Sequence, residues 1–215
     1  GEVMAIDRTF ESALMKALRG LEVRPKDLRN PKFQGEGAKW AFSDGTTQPI
    51  YVPGKGAHDD EELAHAMKNP TDERLWALAE GLRRGWGVDK VHQITRVDKW
   101  FLRKIETLLK FEEKLMLAAW LGRADESLRE VVEEAFVTGF PSPTILSLFG
   151  LPRRSSGLES EFAQAARKIV DEIKSQPVFK MVDTCAGEFE SATPYYYGTF
   201  EQENDQAASL SPSGA

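Results

Sequence analysis

The chain has 215 residues, of which 41% are hydrophobic, and a formal net charge of −6 at pH 7. This length and composition allow one buried core, and the lack of a lysine- and arginine-rich block argues against nucleic acid or an anionic membrane surface as a partner. The apolar runs fall short of the ~20 residues that span a bilayer. A single cysteine cannot form an internal disulfide, so we expect a reducing compartment, the cytoplasm or, in a eukaryote, an organelle.

Apolar residues recur at helical spacing along most of the chain. Thr9, Asp98 and Asp125 each stand just before such a stripe and are residue types that cap helix N-termini. The predicted helices, counted with the residues that begin and end them, cover residues 9–21, 61–68, 71–84, 88–95, 98–121, 125–139, 142–150 and 156–177. The sequence therefore predicts a mostly α fold of six to eight helices.

Two of these helices carry detailed expectations. The helix after Asp98 has an apolar stripe that consists of Phe101, Ile105, Leu108, Leu109 and Leu115. The last helix begins with Ser156 and Glu159, a spacing typical of a capping box, and Pro177 ends it. The following residues, VFKMVD, are predicted to be extended chain.

Residues 23–58 show no sustained period, because prolines and glycines interrupt them repeatedly. Residues 39–52 are compatible with a hairpin that turns at Asp44 and Gly45, since Asp-Gly suits a tight type I′ turn. A loop of this length inside a compact domain is usually an insertion or a functional flap, and we favour the insertion. The residues after about 202 are small and polar, and we expect them to be disordered.

Candidate catalytic and metal-binding groups are few and dispersed. His58 and His65 lie seven residues apart, and no second cluster supplies the three or four ligands of a zinc site. The stretch GKGAHDD at 54–60 lacks the Gly-Lys-Ser/Thr ending of a phosphate-binding loop. The pairs Arg83-Arg84 and Arg153-Arg154 fit better as charges at helix C-termini than as anion sites.

Cys185 lies in the stretch VDTCAGEFESATPYYYGTFE together with three of the four tyrosines. A cysteine nucleophile needs a neighbouring base or cation, whereas Asp183 and Glu188 are acids that disfavour a thiolate. The tyrosines fit a cover over the edge of a core better than a ligand-stacking site. Residue patterns alone therefore indicate a mostly helical domain without a complete active site.

Three separated segments carry a family resemblance: GEVMAIDRTFESALMKALRGLE at 1–22, ITRVDKWFLRKIETLLKFEEKL at 94–115 and VFKMVDTCAGEFESATPYYYGTFE at 178–201. In this order they resemble the large subunit of carbamoyl phosphate synthetase. Between them, AFVTGFPSPTILSLFG at 135–150 resembles the family's turn and short helix. The sequence also opens without an initiator methionine, which suggests a piece of a longer chain.

The resemblance implies a multi-helix orthogonal bundle of the family's connection-domain type, with short extended segments at both ends. It divides the chain into the end of the first ATP-grasp synthetase half (1–22), an irregular insertion with one short helix (23–70), the helical oligomerization domain (71–176), a strap into the second half (177–202) and a tail (203–215). Asp7 stands where the family usually has glycine, and we expect it to cap the first helix instead.

The resemblance also implies a function for the parent enzyme. The parent enzyme makes carbamoyl phosphate from bicarbonate, ammonia (usually from glutamine) and two MgATP, with K⁺ as a further cofactor. The product serves arginine and pyrimidine biosynthesis. This segment alone is expected to hold no catalytic residue, cofactor or metal. Its expected partners are the synthetase halves of the same chain, a glutaminase subunit or fused domain, and a second copy in a homo-oligomer. The alternative is a free-standing helical adaptor, a protein-interaction domain without catalysis.

Site residues follow from the same resemblance. In the family, the glutamate of the Gly-Glu-Val-Met motif lines the tunnel that conveys carbamate between the two halves, and Glu2 matches it. Packing and interface roles are expected for Asp98, Trp100, Phe101, Ile105, Tyr195 and Tyr197. Cys185 is expected to be a small, poorly reactive residue within the strap.

Overall fold

The computed structural model describes residues 2–22, 26–42, 49–151, 159–182 and 195–201. The helices in these ranges are α1 (Phe10–Gly20), α2 (Pro31–Gln34), α3 (Asp60–Lys68), α4 (Arg74–Arg83), α5 (Gly87–Thr95), α6 (Lys99–Leu121), α7 (Glu126–Val137), α8 (Ser142–Leu148) and α9 (Glu161–Lys174). The strands are β1 (Lys39–Phe42), β2 (Pro49–Val52), β3 (Val178–Val182) and β4 (Tyr195–Thr199). The prediction of a mostly α fold is confirmed.

Side-chain caps explain where three of the helices begin. The side chains of Thr9, Asp98 and Asp125 accept hydrogen bonds from backbone N–H groups in the first turns of α1, α6 and α7. These acceptors satisfy donors that have no partner inside the helix. All three caps agree with the predicted helix starts, and Asp7, expected as a cap of the first helix, does not have this role.

The start of α9 differs from the prediction. Ser160 is the N-cap, and its hydroxyl accepts a hydrogen bond from Ala163 N at 3.2 Å. The predicted capping pair of Ser156 and Glu159 is therefore wrong about the helix start, and Ser156 itself lies outside the described residues. A serine stands at both positions, so residue type alone did not distinguish them.

Helix α6 is the central element of the core, and it contacts α1, α4, α5, α7, α8 and β2. Its buried apolar side chains are Leu102, Ile105, Leu108, Leu109, Phe111 and Leu115. Full burial of one such side chain stabilises a fold by roughly 1.5–3 kcal/mol. The prediction is wrong for Phe101, which is exposed, because the buried stripe begins one residue later at Leu102.

Residues 26–42 and 49–70 are integrated with the helices. Leu28, Phe33, Leu63 and Met67 are fully buried and belong to the same hydrophobic core as α6. The segment expected to be an insertion thus supplies core side chains, and the domain boundaries drawn from the sequence stay a prediction.

The predicted hairpin is present in this segment. Strands β1 and β2 are antiparallel, with Lys39 opposite Val52 and Trp40 opposite Tyr51. A further antiparallel bridge joins Glu36 to Lys55. The predicted turn at Asp44 and Gly45 lies outside the described residues.

The second sheet lies at the other end of the sequence. Strands β3 and β4 are antiparallel, with Lys180 opposite Tyr197 and Met181 opposite Tyr196. The extended chain predicted after Pro177 is thus confirmed. Among the described helices, none combines the length and the apolar character that crossing a membrane requires.

Candidate functional site

Three aromatic rings meet at the surface where α1 and α6 begin. Phe10 lies 5.2 Å from Trp100 and 5.5 Å from Phe101 between ring centroids, and the last two are 4.9 Å apart with planes at 89°. These edge-to-face arrangements are the preferred geometry of aromatic pairs. Trp100 and Phe101 nevertheless remain 47% and 45% exposed. We call Phe10, Trp100 and Phe101 the aromatic face.

Charged contacts hold the two helices of the aromatic face together. Lys104 Nζ donates to Glu11 Oε1 at 3.0 Å and lies 5.4 Å from the centroid of the Trp100 ring. Asp98 Oδ1 accepts from Trp100 N at 2.7 Å, which fixes the backbone at the start of α6. The rings are therefore presented by a defined framework and not by a loop.

The residues expected at an interface do not all lie on one surface. Trp100 and Phe101 lie together on the aromatic face, and Asp98 caps the helix that carries them. Ile105 is 3% exposed and packs in the core, so it is not available to a partner. Sequence reasoning missed Phe10, although its position in the first turn of a capped helix was visible.

Tyr195 and Tyr197 lie elsewhere, on β4. Tyr197 is half-buried, and Lys16 Nζ lies 5.2 Å from the centroid of its ring. Tyr195 and Tyr196 are exposed, as are Phe179 and Met181 of β3. The strap therefore presents a second apolar surface, whereas Cys185 lies outside the described residues.

Glu2, the residue matched to the family's tunnel, is exposed in this chain. Asp7, a few residues later, is buried against Lys16, with Asp7 Oδ2 and Lys16 Nζ 2.8 Å apart. Its φ is not positive, because the only non-glycine residue with positive φ in the described part of the chain is Arg96. Aspartate is thus accommodated at the position where the resemblance predicts glycine.

A buried cluster of charges lies behind the hairpin. The Arg83 side chain is only 1% exposed and donates to Glu112 Oε2 through Nη2 at 2.9 Å and to Glu80 Oε2 through Nη1 at 3.3 Å. Burial alone would lower the pKa of Arg83, but the two carboxylates outweigh it and raise the pKa. Arg83 is in the last turn of α4 and Arg84 is its C-cap, as the sequence predicts, but the burial of Arg83 against two carboxylates was not predicted.

The same cluster involves the hairpin and the neighbouring arginine. Tyr51 Oη donates to Glu80 Oε2 at 3.0 Å, and burial together with the Glu80 charge raises the pKa of Tyr51 above its usual range. Arg84 donates to Glu80 Oε1 at 2.8 Å and to the carbonyl oxygens of His58 and Phe33 at 2.8 and 3.1 Å. These bonds attach the hairpin segment to α4.

Next to this cluster, a cleft of about 560 Å³ opens between the hairpin and α8. Its wall includes Trp40, Tyr51, Arg29 and Asp27. Burial alone would raise the pKa of Asp27, but the Arg29 charge and the hydrogen bonds from Arg29 and Thr144 hold it below its usual range. The carboxylate is thus committed to structural partners, and the described residues around the cleft bring no nucleophile to a base.

The histidine side chains also have structural contacts, and His92 Nδ1 lies 2.7 Å from the Val97 carbonyl oxygen. The His58 ring packs edge-on against Phe33 at 5.0 Å, and His65 contacts Asn69. Among the described residues, no three His, Cys, Asp or Glu side chains are grouped to hold a metal ion. The Arg153-Arg154 pair lies outside the described residues. The described residues thus provide exposed apolar surfaces for packing and a buried cluster of paired charges around Arg83.

Comparisons with known proteins agree with the resemblance. Residues 2–160 match the family described as "Carbamoyl-phosphate synthetase large chain, oligomerisation domain". The chain is 38% identical over 213 residues to a carbamoyl phosphate synthase large chain of Thermomicrobium roseum, and 32% identical over 205 residues to that of Archaeoglobus fulgidus. It is 37% identical over 202 residues to the large chain, N-terminal section, of Aquifex aeolicus.

These matches cover 99%, 95% and 94% of this chain but only 16%, 16% and 29% of the respective relatives. The chain thus spans a small part of the length of the curated relatives that it matches. The family match includes residues 23–70, so the hairpin segment lies within the matched region. The chain belongs to the family of carbamoyl-phosphate synthetase large-chain oligomerisation domains.

Proposed function

We propose that this chain is the connecting and oligomerization segment of a carbamoyl phosphate synthetase large chain. The observation that carries the proposal is the aromatic face, because clustered exposed apolar side chains, unlike singly scattered ones, mark interaction sites. Trp and Phe side chains are also enriched at protein interfaces. The aromatic face packs between the synthetase halves or against a second copy of the chain, in a homo-oligomer.

The parent ligase forms carbamoyl phosphate from bicarbonate, ammonia and two MgATP, with K⁺ as a further cofactor, in the cytoplasm or an organelle. Ammonia comes from glutamine through a glutaminase subunit or fused domain, and the product serves arginine and pyrimidine biosynthesis. Nucleotide, magnesium and potassium bind in the synthetase halves. The family membership and the similarity to synthase large chains over nearly all of this chain support this proposal.

The flanking segments have connecting roles. The exposed side chains of Phe179, Met181 and Tyr196 on the strap pack against the second synthetase half. Glu2 lines the passage for carbamate, where a carboxylate holds hydrogen-bonded water or the intermediate in place. Half-buried Tyr197, on the other face of β4, lies against Lys16 of α1, which supports a strap with one face on the helices and one toward a partner.

The test of the aromatic face uses the intact large chain. Trp100→Asp places a charge among the three rings, and we expect it to shift the assembly toward smaller species in sedimentation velocity or to lower carbamoyl phosphate synthesis. Trp120→Asp is the matched control, because Trp120 is similarly exposed at the other end of α6. A Trp100→Asp chain with wild-type assembly and synthesis would contradict the proposal.

A second test concerns catalysis. We expect the purified 215-residue segment to show no bicarbonate-dependent ATP hydrolysis, while the intact chain hydrolyses ATP and makes carbamoyl phosphate. Measurable turnover by the segment alone would refute its proposed role as a connector. A segment that binds an unrelated protein through the aromatic face, with no synthetase halves encoded beside it, would instead favour the free-standing adaptor.

A further inference from the structure

Lys16, in the middle of α1, contacts two segments that lie far apart in sequence. Its Nζ donates to the Ile6 carbonyl at 2.8 Å and to the Gly198 carbonyl at 2.5 Å. Asp7 Oδ2 lies 2.8 Å away, and the Tyr197 ring centroid 5.2 Å away. The residue thus joins the segment before α1 to strand β4.

The oxygens of this cluster match the hydrogen-bonding capacity of the Lys16 ammonium group. An ammonium group has three donors and no acceptor, and three oxygens surround Lys16 Nζ. The Lys16 side chain is 19% exposed and that of Asp7 is 6% exposed, so water screens the pair less than it screens a surface ion pair. Without the ammonium group, two carbonyl oxygens and a carboxylate would converge on one space with no donor between them.

Lys16 is also held firmly by its own helix. Met15 and Leu18, which flank it in α1, are fully buried in the core. Lys16 therefore connects residues 6–7 and 197–198 to a buried element of the core. The end of the strap is also attached directly, since Thr199 is buried and the Phe200 ring centroid lies 4.7 Å from that of Phe136. A second connection exists at Glu201, whose Oε2 lies 3.2 Å from Arg8 and 3.3 Å from Lys180. Arg8 and Glu201 are much more exposed than Lys16 and Asp7, and exposed ion pairs contribute little to stability.

We propose that Lys16 is a positioning residue that holds the segment leading into the helical domain (residues 2–7) and the strap strand leaving it (residues 195–199) at one fixed separation. The inference rests on the proposed function, in which these segments lead to the two synthetase halves. One half makes carbamate and the other phosphorylates it. Loss of a fixed separation therefore affects overall synthesis more than it affects either half alone.

The experiment compares three activities of the intact large chain carrying Lys16→Met. They are bicarbonate-dependent ATP hydrolysis, formation of ATP from ADP and carbamoyl phosphate, and overall carbamoyl phosphate synthesis. We expect overall synthesis to fall by about tenfold with the two partial activities close to wild type, so that more ATP is hydrolysed per carbamoyl phosphate formed. Lys16→Arg keeps a cation with several donors, and we expect it to recover part of the loss.

A matched control and a direct structural readout complete the design. Lys168→Met removes an exposed lysine of α9 whose nearest carboxylate, on Glu172, is 3.9 Å away, and we expect wild-type activities. Amide hydrogen exchange of residues 195–199, which pair with β3, is expected to rise by about tenfold in Lys16→Met and to stay unchanged in Lys168→Met.

Two results would overturn the role of Lys16: unchanged exchange of residues 195–199, or loss of all three activities in the same proportion, which indicates a general folding defect. An intact wild-type chain that makes no carbamoyl phosphate would refute the proposed function instead. In that case hydrogen exchange alone decides whether Lys16 fixes the strap strand.

Discussion

Replacing Arg83 by methionine removes the cation from the buried charge cluster while keeping a side chain of similar length. Three of its hydrogen bonds go to carboxylates: Nε and Nη2 to Glu112 Oε2 at 3.3 and 2.9 Å, and Nη1 to Glu80 Oε2 at 3.3 Å. Glu80 keeps Arg84 and Tyr51 as partners in the variant. Glu112 does not, because Arg83 is its only hydrogen-bond partner among the described residues, and its Oε1 is already buried without one.

The expected cost follows from this asymmetry. Removing one partner of a buried ion pair costs about 3–5 kcal/mol, because a charge remains buried and unpaired. This is a large part of the total stability of an ordinary domain. With an m-value of about 2 kcal/mol/M in urea, a loss of ~4 kcal/mol moves the unfolding midpoint down by about 2 M.

The assay is urea unfolding of the 215-residue chain, followed by far-UV circular dichroism at pH 7. The double variant Arg83→Met, Glu112→Leu is expected to recover much of the loss, since an apolar pair often replaces a buried ion pair without penalty. Arg129→Met is the control, because its ion pair with Glu172 lies at the surface. A midpoint for Arg83→Met within about 0.5 M of wild type would refute the reasoning.

Three further predictions concern stability. We expect Asp27→Asn to lower the unfolding midpoint at pH 7. The pKa of Asp27 is lower in the folded state than in the unfolded state. The contribution of Asp27 to the free energy of unfolding is therefore present above the unfolded pKa of about 4 and is lost as the pH falls through the lower folded pKa. The wild-type advantage should therefore shrink in urea titrations carried out at successively lower pH, and a constant difference would contradict this. Asp98→Ala removes the cap of α6 and is expected to cost about 1 kcal/mol in the same assay, with a cost near zero as the contrary result. Gly139→Ala is expected to destabilise the fold more than Gly150→Ala. Both glycines have positive φ, but only at Gly139 would an added Cβ lie 3.0 Å from Met15 Cβ and Ser12. Equal losses of stability in the two variants would show that this contact is unimportant.

Local sequence determined the helices that begin with a capping side chain and end at glycine. The predicted starts of α1, α6 and α7 agree with Thr9, Asp98 and Asp125, and Gly139 follows the end of α7 with positive φ. These caps join residues two or three positions apart, so they can be recognised from local sequence alone. Three separated segments also sufficed to indicate the family.

The sequence left the position of each side chain relative to other elements open. Phe101 and Leu102 are both at helical spacing from Ile105, and only the packing of α1 on α6 leaves Phe101 on the surface and buries Leu102. Arg83 shows the same limit. Its position at the end of a helix was predicted, but its burial was not, because Glu112, 29 positions later, provides the partner that makes burial possible.

Tertiary structure also decided which of the expected interface residues remain exposed. Trp100 and Phe101 were expected there together with Ile105, yet the structure joins the first two to Phe10 and places Ile105 in the core. The Lys16 cluster arises in the same way, from residues 6–7 and 197–198 meeting around one ammonium group. The sequence by itself determined the local helices and the family, whereas contacts between distant residues decided which side chains are buried, paired or exposed.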